Sequence, residues 1–65
     1  MNTEQEKRYI VFTTAPGANS FPLAIYNTLE KAKCFPGIEF YSEIREVIWN
    51  GEGRIPLANE CKKVE

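Results

Sequence analysis

Ile38-Glu39-Phe40-Tyr41-Ser42-Glu43-Ile44-Arg45-Glu46-Val47-Ile48-Trp49 runs into Asn50-Gly51-Glu52-Gly53 and then Arg54-Ile55-Pro56-Leu57. Seven of the first twelve residues are β-branched apolar or aromatic: Ile38, Phe40, Tyr41, Ile44, Val47, Ile48 and Trp49. Such side chains suit a pleated, half-buried surface. Asn-Gly with a second glycine close behind lets the chain reverse, because both residue types tolerate positive φ. A helical period also fits Phe40, Tyr41, Ile44, Val47 and Ile48, and fits them better than strict alternation does. Composition and the adjacent turn favour a strand. The reading is therefore a strand over 38–49, a tight reversal and a short return strand at Ile55-Pro56-Leu57, placed at an edge by its proline. A bulge near Arg45-Glu46 would bring Ile44 and Val47 to one face.

Upstream, Arg8-Tyr9-Ile10-Val11-Phe12-Thr13-Thr14 is the clearest strand. Ile10 and Phe12 fall on one face, Tyr9 and Val11 on the other. Two apolar faces imply cover on both sides. In so short a chain the simplest second cover is another copy of the protein, although a half-exposed Tyr9 would also serve. Ala15-Pro16-Gly17-Ala18-Asn19-Ser20 is a turn. Its one glycine, with no Lys-Ser or Lys-Thr after it, makes a poor phosphate cradle. Ser20 reads as the N-cap of a helix from about Phe21 to Cys34, with Pro22 in its first turn and Phe21, Ile25, Leu29 and Ala32 on the buried stripe. Phe35-Pro36-Gly37 ends it. The expectation is one α+β domain spanning 1–65, with fraying at 1–6 and 60–65. Its order is strand, helix, strand, strand, one helix lying on a small, mostly antiparallel sheet.

Composition narrows the function. Sixty-five residues give a thin core that favours stapling or a partner subunit. Eight Lys and Arg balance nine Asp and Glu, against a dedicated nucleic-acid binder. No apolar run is long enough to span a membrane, and the polar first residues are not a signal peptide, so the expected compartment is the cytoplasm. There Cys34 and Cys61 are expected to be free thiols. Histidine and aspartate are both missing, which removes Ser-His-Asp chemistry and the commonest metal ligand. A thiol has no histidine to activate it. Two distant cysteines make no metal site. The glutamates, Glu39, Glu43 and Glu46 among them, have no spacing that selects them for acid/base work, and strand carboxylates alternating with arginine usually serve cross-strand pairing. The expectation is no catalytic residue, metal or cofactor.

Aromatic residues carry the remaining signal. Tyr9, Tyr41 and Trp49 fall on odd-numbered strand positions, with Arg45 between the last two. Tyr, Trp and Arg are enriched where proteins meet proteins. These four are the candidate partner-binding residues of a non-enzymatic interaction module, a regulator or inhibitor of a larger protein. A bland reading sits beside it, in which they cover a second core layer or a homodimer seam. The alternative function is a small nucleic-acid-binding regulator that stacks bases on the same face, with Arg45, Arg54, Lys31 and Lys33 meeting phosphates. In size and in lacking catalytic equipment the chain resembles the small accessory proteins of phages and mobile elements, a likeness of type that no motif carries.

Overall fold

A computed structural model describes residues 6–17, 19–37 and 40–64. Strand β1 (Lys7–Thr13) is the one around which the sheet assembles. Strand β2 (Pro22–Tyr26) lies antiparallel on one side of it, and β3 (Ser42–Ile48) lies antiparallel on the other. Strand β4 (Lys62–Lys63) extends the sheet beyond β3, giving the order β2-β1-β3-β4. Helix α1 (Leu29–Lys33) follows β2, and a 3-10 turn at Ala58–Glu60 precedes β4. One helix with a four-stranded antiparallel sheet is a small α+β domain. The expected succession of strand, helix, strand and strand is met by β1, α1, β3 and β4, with β2 as an additional strand ahead of the helix.

Residues 42–48 are a strand because β1 pairs with all seven of them, from Lys7 against Ile48 to Thr13 against Ser42. A central strand with an unpaired side would bury orphan backbone groups, and β3 removes that cost. The pairing is unbroken, so no bulge stands at Arg45-Glu46. The irregularity lies between β1 and β2, at Val11/Phe12, where Leu23 is the extra residue between the partners of Val11 and Phe12. Pro22 begins this edge strand, the place where a missing N–H does least harm.

Two other expectations are corrected. Phe21 to Tyr26 is not the first half of a helix. It is the return arm of an antiparallel pair with β1, and that pairing overrides the helical spacing of Phe21 and Ile25. Thr28, not Ser20, is the N-cap, its Oγ1 accepting from the N–H of Lys31 at 3.2 Å. The edge strand expected at Ile55–Leu57 is irregular chain instead. Pro56 supplies no donor, and the pairing with β3 is made later, by Lys62 and Lys63 opposite Glu46 and Arg45. Of the fraying expected at 1–6 and 60–65, residues 1–5 and 65 lie outside the described residues, while the Glu6 carbonyl accepts from the Trp49 N–H at 2.8 Å and Lys62–Lys63 form β4.

Both faces of β1 are covered. Ile10 and Phe12 are fully buried and pack with Cys61, Val47 and Ala58, so the segment around the 3-10 turn closes that face. Val11, on the opposite face, is equally buried. Helix α1 packs against β1 and β2 and buries Ala32 completely, which assigns it to the Val11 side. The second cover of the two-faced strand therefore comes from within the chain.

Candidate functional site

The four aromatic and arginine candidates do not converge. Ile10 pairs with Arg45 and Tyr9 with Glu46, so Arg45 lies on the Ile10–Phe12 face and Tyr9 on the other. Arg45 is mostly shielded. Its Nε donates to the Glu43 carboxylate and its Nη1 donates to the Ala58 carbonyl at 3.1 Å. That second bond ties the closing segment down over the core, and Cys61 Sγ adds a contact to the Leu57 carbonyl at 3.3 Å. Tyr9 is half-buried, with the Lys7 ammonium 5.9 Å from its ring. Trp49 begins the reversal. Its indole N–H donates to the Glu52 carbonyl at 2.9 Å, while Asn50 Oδ1 accepts from the Glu52 N–H at 2.9 Å. Tyr41 stands at the opposite end of β3, eight residues or about 26 Å away along the strand.

Around Tyr41 the structure gathers other aromatics that sequence reasoning did not select. Phe21, Phe40 and Tyr41 are 63%, 71% and 66% exposed. Buried Thr13 and its neighbour hold them at one end of the sheet. Thr13 N–H donates to the Phe21 carbonyl at 2.9 Å, Thr13 Oγ1 donates to the Tyr41 carbonyl at 3.2 Å, and Thr14 N–H donates to the same oxygen at 2.7 Å. Thr13 Oγ1 also accepts from the Ala15 N–H at 3.2 Å. Phe21 and Tyr41 thus flank the end of β1, about 10 Å apart across two strand spacings. Phe40 is fixed by its own N–H donating to the Gly37 carbonyl at 2.8 Å, which also accepts from Ser42 Oγ at 3.2 Å.

The backbone here is held in an unusual state. Among the described residues the non-glycine positions with positive φ are Asn19 at 54°, Ser20 at 54° and Tyr41 at 50°. All three lead into or belong to the aromatic end. Asparagine enters this region readily, but a bulky aromatic is an outlier there. Such conformations persist only where the surroundings over-determine them, and they cluster at functional sites. A shallow groove of about 270 Å³, lined by Asn19, Ser20, Leu57, Ala58 and Asn59, adjoins the Asn19-Ser20 turn. A sequence-level signal was available: Phe40-Tyr41 stands three residues past Gly37 of the Pro36-Gly37 turn, just ahead of the strand, where an apolar pair has few neighbours to cover it.

The basic residues of the alternative reading are scattered. Lys31 and Lys33 lie on α1, Arg45 is engaged as described, and Arg54 pairs with Glu60 through bonds of 2.9 and 3.1 Å. The guanidinium of Arg54, helped by the Leu57 N–H, pulls the Glu60 carboxyl down to about 2. The turn between β1 and β2, weighed as a phosphate cradle, joins two strands and so has no helix N-terminus behind it. Cys34 and Cys61 are both free. Cys34 is exposed, while burial pushes the Cys61 thiol pKa up. Among the described residues no helix is long and apolar enough to cross a membrane. Comparison with known proteins finds no matching family model, no similar curated protein and no similar solved structure.

Proposed function

We propose that this chain is a small non-enzymatic protein-binding module, a regulator or inhibitor that docks on a larger protein through Phe21, Phe40 and Tyr41. The supporting observation is the coincidence, at one end of the sheet, of three exposed aromatic rings with backbone strain at Asn19, Ser20 and Tyr41. Exposed aromatics held on a rigid backbone are what a binding surface needs, since little side-chain freedom is lost on docking. The fitting partner presents an apolar cleft that accepts two or three rings. Of the four residues expected from sequence, Tyr41 belongs to this surface. Arg45 acts as a clamp on the closing segment, and Tyr9 and Trp49 lie away from the surface. The two free thiols favour a reducing compartment such as the cytoplasm.

The test is a quantitative pull-down from source lysate, nuclease-treated, with wild-type bait beside Phe40→Ala/Tyr41→Ala bait. A specific protein retained by the wild type and lost at least about tenfold by the variant, equivalent to about 1.4 kcal/mol or more, is expected. Equal retention by both baits would refute the assignment to this surface.

A further inference from the structure

The two edges of the sheet are built differently. The β4 edge is Lys62-Lys63, a charged pair of the kind that discourages strand addition. The β2 edge is Pro22-Leu23-Ala24-Ile25-Tyr26, without a charge, and Leu23 and Ile25 are 44% and 36% exposed. The neutrality extends well beyond the strand. Residues 9–29 contain no Lys, Arg, Asp or Glu, so every charge in the chain lies elsewhere. Among the described residues no strand pairs with the outer side of β2, whose backbone groups there are open to another strand.

We propose that the β2 edge is a self-association surface, on which a second copy of this chain pairs β2 against β2 antiparallel about a two-fold axis at Ala24. This goes beyond the binding reading above and does not rest on it. The occupant follows from symmetry and charge. At a two-fold axis a strand meets itself, so a charged residue near the axis would face its own sign. An edge made for a different chain would gain from a complementary charge, and this one has none. Centring on Ala24 sets Leu23 of one protomer opposite Ile25 of its partner, twice, so the exposed apolar residues cover each other. Pro22 and the bulge at Leu23 confine the ladder to a few residues. The interface is therefore small, and the association is of the weak class with dissociation constants of about micromolar or above. The product is a continuous eight-stranded sheet whose two outer edges are both Lys62-Lys63.

Sedimentation equilibrium over a wide concentration range tests this. The wild-type mass is expected to rise from 7.5 kDa toward twice that value with concentration. Leu23→Lys alone and Ile25→Glu alone are each expected to remain at 7.5 kDa, with circular dichroism confirming the fold. An equimolar mixture of the two is expected to recover the dimer. In the mixture Lys at 23 meets Glu at 25 on one side of the axis, and Ile25 meets Leu23 on the other. Amide exchange on the wild type needs no substitution: protection of the outer β2 amides should increase with concentration. A wild-type mass that stays at 7.5 kDa, a dimer indifferent to Leu23→Lys, or a folded pair of variants that fails to recover in the mixture would overturn the proposal.

Discussion

At the scale of single residues, the charged side chains mostly do structural work. Glu60 is the clearest case. Its carboxylate accepts from Arg54 and from the Leu57 N–H at 2.8 Å, which fixes the 3-10 turn ahead of Cys61. Its folded pKa lies at about 2, below its ordinary 4.5, so the folded state favours the charged form. The contribution is complete above the ordinary value and disappears as pH falls from there through about 2. Wild-type stability should therefore decline over that acid window, and Glu60→Gln should flatten the decline when midpoints of urea unfolding are compared pH by pH. Because the pair is exposed, added salt should shrink the difference. Arg45 shows what sequence could not reveal. Its neighbours in sequence, Glu43 and Glu46, suggested a solvated strand face, whereas its decisive partner is a carbonyl thirteen residues away. Tyr41 was legible as an exposed aromatic. Phe21 was not, because its spacing to Ile25 and Leu29 imitated a buried helical stripe.

At the scale of elements, β1 and β3 could be read from composition, since dense β-branched residues beside Asn-Gly favour a strand over a helix of similar period. The helix was read with the right end and the wrong beginning. Its stop at Phe35-Pro36-Gly37 is local chemistry, whereas the competition between helix and hairpin at 21–26 is settled by β1, which needs a neighbour on each side. The strain at Tyr41 also belongs to this scale, because Tyr41 stands at the entry to β3 with its carbonyl held by Thr13 and Thr14. Tyr41→Gly removes the Cβ that makes φ of 50° costly. Relief of about 1–2 kcal/mol is offset by roughly 0.5–1 kcal/mol from the freer unfolded chain. Urea unfolding should thus show Tyr41→Gly equal to or up to about 1.5 kcal/mol more stable than wild type, while partner capture falls. A variant that lost several kcal/mol would mean that the Tyr41 ring supports the core.

At the scale of the whole molecule, stability rests on few residues. Ile10, Val11 and Phe12 are the largest fully buried side chains, and they are consecutive on one strand, facing two layers in turn. A chain of this length has about 3–10 kcal/mol of stability at the usual per-residue values. Phe12→Ala should remove about 3–5 kcal/mol, a large part of that stability, so thermal unfolding followed by circular dichroism should move to a markedly lower midpoint. If self-association through β2 holds, part of that loss should be recovered at high protein concentration, because only the folded chain associates. The molecule also keeps its single tryptophan far from the aromatic end. Trp49 hangs over the Asn50–Gly53 loop, tethered to Glu52, while Phe40 and Tyr41 stand at the other end of β3. Intrinsic emission is consequently a gauge of that loop. A titration followed by tryptophan fluorescence alone would stay nearly flat while a ligand filled the far end, and a flat trace would say nothing about whether it had bound.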